Sequence, residues 1–180
     1  MSGSSTTQSM EITFREPRPS DGPVVHALIE ACPPLDVNSC YCYLLLCSHF
    51  AQTCVVAESP DGIVGFISAY ARQDSPHALF VWQVAVSSAA RGQGLAGRML
   101  DSIIARPACA GINRMETTVS PSNRASESVF RSFAKRHDAA VETSSLFERS
   151  DFGNENHEEE VLFTIGPLNM GAAKTNRVEV

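Results

Sequence analysis

The segment VWQVAVSSAARGQGLAGRML, residues 81–100, decides the reading of this chain. It begins as an apolar, β-branched run, crosses a short polar loop and ends in a helical repeat, so it predicts a buried strand feeding a helix. Arg91, Gly92, Gln93, Gly94, Leu95, Ala96 and Gly97 stand at the junction. Small residues let the main chain approach a ligand closely, and the unpaired N–H groups of a helix's first turn point outward at the positive end of its dipole. Such a junction binds phosphate. Its spacing is neither the G-x-x-x-x-G-K-[ST] of a P-loop nor the early G-x-G-x-x-G of a dinucleotide-binding unit, which weakens nucleotide hydrolysis and hydride transfer.

Working outward, Thr53–Glu58 and Ile63–Ala71 read as two antiparallel strands joined by a tight Asp61-Gly62 turn, and a third strand follows over Ala78–Ser87. The helix after the junction puts Leu95, Met99, Leu100 and Ile103 on one side, and Pro107 helps to end it. Residues 114–120 predict a strand. Residues 122–137 predict a helix with Ala125, Val129, Phe130 and Phe133 facing inward, and 159–165 a last strand. Before the hairpin lie a short strand at 12–15, a helix over 24–32 capped by Ser20 or Asp21, and a second helix from about 39 to 50 capped by Asn38 or Ser39. Asp36 then sits just outside that helix's mouth. The order mixes antiparallel pairing with strand-helix-strand crossovers, which is an α/β (α+β) fold with a mixed sheet flanked by helices. One domain is expected over 11–167, with tails at 1–10 and 168–180.

Composition narrows the function. The chain has 180 residues, 43% hydrophobic and 19% charged, with 14 Lys+Arg against 20 Asp+Glu, a net charge of −6 and no basic block able to track nucleic acid. No apolar run approaches the ~18 residues of a membrane span, and the N-terminus carries no signal pattern, which points to the cytoplasm. Cys32, Cys40, Cys42, Cys47, Cys54 and Cys109 include no C-x-x-C and share no zinc-like spacing with a histidine, so they are expected as free core residues with no metal.

Arg91, Gly94 and Ala96 fill the R/Q-x-x-G-x-G/A pattern after a central strand, and over roughly residues 12–166 the chain resembles the GNAT superfamily of acyl-coenzyme A transferases. One branch is matched further, through CPPLDVNS ending at Ser39, then Tyr41 and Tyr43, VWQVAV (81–86), ARGQGLA (90–96), METTVSPSNRAS (115–126) and His157-x-x-Glu160. The resemblance implies a GNAT-like fold and acetyl-CoA as co-substrate. It also implies acetylation of the side-chain (γ) amine of L-2,4-diaminobutyrate, on the way to the osmolyte ectoine, by a homodimer. It places a bulge in the central strand, freeing backbone at Val84 and Val86 for the pantetheine arm and one N–H for the thioester oxyanion. Arg91, Gly92, Gly94, Ala96, Gly97 and Asn123 are the expected coenzyme contacts.

Attack on a thioester needs a neutral amine, whereas an alkyl amine has a reference pKa near ~10.4, so a base must take its proton. The resemblance builds the acceptor pocket from Asp36, His157 and Glu160. Read on their own residues, Asp36 is more commonly a helix cap at such a position and NENHEEE a solvated charge run. Many relatives place a tyrosine near the departing sulfur. Here the corresponding position is Phe130, and Tyr41 is the candidate acid, although a tyrosine beside Leu44, Leu45 and Leu46 also reads as packing. Trp82 either walls the acceptor end or packs in the core, and Thr118 or Thr117 could hold the substrate carboxylate. Direct transfer in a ternary complex is expected over a cysteine acyl-enzyme. The alternatives are a GNAT enzyme acting on another small cationic amine or amino acid, and a coenzyme A-binding module without turnover.

Overall fold

Most strands follow the apolar, β-branched runs, and the strands join into one seven-stranded sheet. The structure, a computed structural model, describes residues 11–153 and 156–168. In chain order the elements are β1 (Thr13–Arg15), α1 (Gly22–Glu30), α2 (Cys40–His49), β2 (Val55–Ser59), β3 (Gly62–Ala71), β4 (Ala78–Val86), α3 (Leu95–Ile104), β5 (Arg114–Val119), α4 (Arg124–Arg136), β6 (Ala140–Phe147) and β7 (Glu160–Gly166). The sheet order is β1-β2-β3-β4-β5-β7-β6, with every pair antiparallel except β4 and β5.

Side chains alternate across the pleat and divide the core in two. Phe66, Val56 and Ala85 face Val25, Leu28, Ile29, Tyr43, Leu46 and Cys47 of α1 and α2. Val55, Ile67, Leu79 and Val81 face the other way, where Leu95, Met99, Leu100 and Ile103 of α3 and Phe130 and Phe133 of α4 close the second layer. The expected apolar stripes of α1 and α3 are both buried. Leu168, expected in the C-terminal tail, is buried, and its N–H donates to the Asn113 carbonyl at 2.6 Å. The expected tails otherwise lie outside the described residues.

Several local expectations are corrected. The β2–β3 turn is Pro60-Asp61, because Ser59 pairs with Gly62, and the positive φ of Gly62 (120°) is spent on opening β3. Asp21 occupies the N-cap position of α1 without capping it, since its carboxylate accepts from the Arg18 N–H at 2.7 Å and from Arg15. Ser39 does cap α2, accepting from the Cys42 N–H at 3.3 Å. Ala125 faces outward from α4 rather than into the core. The strand β6 was not expected. It is an edge strand, mostly exposed, with no apolar alternation, and it exists by pairing with β7.

The feature that positions the site is the departure of β4 from β5. The two run parallel in register only from Ala78 to Val81, opposite Arg114 to Thr117. The β3–β4 register shifts between Ser68 and Ala69, which face Gln83 and Val81, so the bulged residue is Trp82. The bulge thus falls two residues before Val84, where the resemblance had freed the backbone. The extra residue bends β4 away from its parallel neighbour, and residues 83–86 pair with β3 alone.

Candidate active site

Two cavities open on either side of this divergence. The first, about 470 Å³, lies between the β4–α3 junction and α4, and the second, about 550 Å³, lies between β4, β5 and the segment before β7. They share Pro34, Leu35, Val84, Asn123, Ser126 and Phe130, so they meet where the strands part.

The first cavity is walled chiefly by main chain and small side chains. Gly92 and Gly94 have φ of 76° and 65°, a conformation that L side chains rarely adopt. A Cβ at either would meet nothing within 4 Å, so both face open space. Gly94 is the N-cap of α3 and supplies no side chain to its first turn; the Arg98 N–H bonds the Gly94 carbonyl, leaving those of Leu95, Ala96 and Gly97 without intrahelical partners. Arg91 folds back, its Nε donating to the Val86 carbonyl at 3.1 Å. A diphosphate fits this cradle, because the donors are bare amides at the positive end of a helix dipole. Gly97 serves a different purpose: a Cβ there would stand 2.8 Å from Nη2 of Arg136.

Strand parity explains what β4 offers. The Gln83 N–H donates to Ser68 Oγ at 3.1 Å and the Ser87 N–H to the Val64 carbonyl at 2.8 Å, both toward β3. Alternation then turns the N–H groups of Val84 and Val86 to the other edge, which β5 has left. Val84 borders both cavities.

The second cavity is built from side chains brought in from distant segments. Asp36, Trp82, Thr117, Thr118, His157 and Glu160, all expected at the acceptor site, line it. His157 Nε2 lies 3.5 Å from Asp36 Oδ2 and 4.0 Å from Glu160 Oε1, its Nδ1 donates to the Glu158 carbonyl at 2.6 Å, and its ring stacks on Phe152 at 4.0 Å. The Glu158 carbonyl raises the imidazole pKa; partial burial opposes this, and the Asp36 and Glu160 carboxylates add to the rise. Asp36 is 81% exposed and Glu160 17%, so the row runs from solvent inward. Ser120 Oγ donates to Glu160 Oε1 at 2.9 Å. Trp82, at the bulge, is 42% exposed and is no core residue.

Tyr41 is not brought to the site. It lies 67% exposed on the outer side of α2 and borders neither cavity, because Tyr43, two residues on, takes the buried face. The sequence reading missed what Tyr43 does: its hydroxyl accepts from the Asn38 N–H at 3.2 Å and donates to Gln83 Oε1 at 3.4 Å, while Gln83 Nε2 donates to the Asp36 carbonyl at 2.7 Å. This buried network ties the Asp36 loop to β4. Its signal was a lone glutamine inside the apolar run VWQVAV. All six cysteines are free, and burial pushes Cys47 up to about 12 and Cys54 up to about 11, far from a reactive thiolate.

Comparison with known proteins supports the fold and the family. The profile described as the acetyltransferase (GNAT) family matches residues 23–134. The chain is 50% identical over 156 residues to the L-2,4-diaminobutyric acid acetyltransferase of Bordetella parapertussis, covering 86% of this chain and 84% of that one. It is 42% identical over 162 residues to the enzyme of that name from Halomonas elongata, covering 89% and 84%. Among solved structures, the diaminobutyrate acetyltransferase of Paenibacillus lautus, in complex with its substrate L-2,4-diaminobutyric acid and coenzyme A, superposes with a TM-score of 0.85 at 43% identity, covering 88% and 96%.

Proposed function

The chain belongs to the GNAT acetyltransferase family, and from that membership we propose that it transfers the acetyl group of acetyl-CoA to the side-chain (γ) amine of L-2,4-diaminobutyrate. The product is the N-γ-acetyl compound from which ectoine is made. One observation carries the reading: a cavity of bare amides and an acidic cavity meet at Val84, where the strands separate. An anionic thioester and a cationic amine enter from opposite sides and reach each other there.

In this scheme the amides of residues 92–97 and Arg91 hold the diphosphate, and Asn123 borders the path of the pantetheine arm. Asp36 and Glu160 attract the substrate ammonium. Glu160 takes its proton, and His157, between Glu160 and exposed Asp36, passes it toward solvent. The freed nitrogen attacks the thioester carbonyl, whose oxygen gains the negative charge and accepts from the Val84 N–H. Collapse breaks the C–S bond, the sulfur leaves with its electron pair, and the second proton of the acylated nitrogen passes to Glu160, which His157 has already relieved of the first. Phe130 has no proton to give, and Tyr41 of the same copy is out of reach. The thiolate is instead stabilised by the N-terminus of α4, which borders both cavities through Asn123 and Ser126. Trp82 walls the acceptor, and Thr118 and Thr117 supply hydroxyls for its carboxylate.

We place the enzyme in the cytoplasm, a compartment that suits six free cysteines, in the service of osmoadaptation. A homodimer is supported by the exposed apolar side chains of Val37, Tyr41 and Leu44, and sedimentation velocity tests it. The activity is tested by thiol release from acetyl-CoA with diaminobutyrate, ornithine, lysine and spermidine. Diaminobutyrate is expected to have the highest kcat/KM; equal values across the set would sink the assigned acceptor.

A further inference from the structure

The first cavity has an end that the diphosphate leaves unused. Along α4, residues Ala125, Ser128, Val129, Ser132 and Arg136 line it at helical spacing. Small side chains keep the wall shallow for most of the helix's 13 residues, roughly 19 Å, and the stripe ends on a guanidinium. Arg91 and Arg136 are the only cations among the lining residues, and no carboxylate is among them.

Arg136 is placed with care. Its guanidinium lies against Gly97, where any Cβ would come within 2.8 Å of Nη2, and over the Phe133 ring at 5.8 Å. Asp101, one turn beyond Gly97 on α3, contacts Nη2 through both carboxylate oxygens, each at a long 3.3 Å. The better partner of Asp101 is Nε2 of His137 at 2.8 Å. The guanidinium therefore retains free donors facing the cavity. It stands beside the third residue of α3, off the helix mouth that seats the diphosphate.

Accepting that coenzyme A binds here, we infer that Arg136 is the receptor for the phosphate monoester on the ribose of the coenzyme's adenosine. That group carries about −1.5 to −2 charges at neutral pH and offers three acceptor oxygens, which suits a forked donor. Arg136 makes the enzyme selective for the 3′-phosphorylated coenzyme over its dephospho form. Gly97 is the position whose lack of a side chain admits it, and Asp101 tethers the fork while competing weakly with the phosphate.

Isothermal titration calorimetry of the whole protein with coenzyme A and with dephospho-coenzyme A tests this without reference to turnover. The unaltered protein is expected to bind coenzyme A more tightly. Arg136→Gln should weaken coenzyme A roughly five- to tenfold, a charge-assisted contact partly screened by solvent, and leave dephospho-coenzyme A within about twofold. Equal weakening of both ligands would put the guanidinium on the diphosphate and overturn the inference, as would no change in either. Asp101→Asn keeps the fork and removes its competitor, so the preference should widen; an unchanged or narrowed preference overturns the inference even if Arg136→Gln does not fold. Failure of the unaltered protein to bind either ligand would instead remove the coenzyme reading itself.

Discussion

The two cavities are made in opposite ways. The coenzyme side is bare amides, small side chains and two arginines, with no carboxylate among its lining residues; the acceptor side gathers Asp36, Glu158, Glu160 and His157, with no lysine or arginine. On a chain of net charge −6 this division separates an anionic donor from a cationic acceptor until they meet at Val84. It also predicts that damage to one side is felt through different observables than damage to the other. Glu160→Gln strikes the acceptor side hardest. With the proposed general base gone, kcat/KM for the amine should fall about 10²- to 10³-fold while the calorimetric Kd for coenzyme A stays unchanged. A loss of coenzyme affinity in that variant would break the division.

The backbone side has its own probe. Gly94→Ala meets no steric obstacle, since nothing lies within 4 Å of the added Cβ, but it forces a residue at φ 65°. The strain costs about 1–2 kcal/mol, which for a domain of this size lowers Tm by a few degrees. The methyl also projects into the open cradle, so coenzyme A affinity should drop about five- to tenfold with KM for the amine unaltered. Isothermal titration and thermal melts read both effects.

The same difference in construction decides what could be read beforehand. The proposed coenzyme cradle is one contiguous segment, Arg91–Gly97, and both the glycine conformations and the helix start are local properties, so the spacing announced that backbone. The sheet's inner strands were legible for a similar reason: Val55, Phe66 and Leu79 lie in runs that bury. By contrast β6 has no apolar signature because its partner β7, and not the core, holds it. Asp36, Gln83, Ser120 and His157 come from four segments, and their meeting depends on a bulge at Trp82 and on tertiary hydrogen bonds that no local pattern encodes. The resemblance supplied Asp36, His157 and Glu160. It could not place Tyr41, because α2 is apolar on most sides and its sequence does not say which tyrosine turns inward.

The network behind Asp36 offers an intermediate effect. Gln83→Leu keeps the volume of the buried side chain but takes the donor from the Asp36 carbonyl and the acceptor from the Tyr43 hydroxyl. Leaving such groups unpaired costs about 1–3 kcal/mol. The loss should appear as a KM for the amine raised about five- to tenfold, with a smaller change in kcat, because in the proposed scheme Asp36 positions the acceptor while Glu160 takes the proton. Coenzyme binding should again be spared. If Gln83→Leu changed kcat more than KM, Gln83 would belong to the reacting centre and not to the support of one loop.

The smallest effect is a pH dependence that belongs to the acceptor side alone. In neutral His157, with Nδ1–H donated to the Glu158 carbonyl, Nε2 would present a lone pair to Asp36 and Glu160; the cation presents a donor instead, so folding favours the charged ring. The Glu158 carbonyl first, and then the two carboxylates, raise the pKa above its ordinary 6.5. A raised histidine contributes stability that is fully present below 6.5 and is lost as pH climbs through the folded value. Thermal melts of the unaltered protein and of His157→Gln should therefore differ most near pH 6 and converge by pH 9, with a gap of about a degree, as befits a pair open to solvent. The gap should narrow in Asp36→Asn without closing, since Asp36 is the nearer carboxylate at 3.5 Å but the Glu158 carbonyl still holds Nδ1–H, and binding of a cationic amine between the same carboxylates should shrink it too by displacing the imidazolium from its partners. Coenzyme A, seated on the other side of Val84, should leave it untouched.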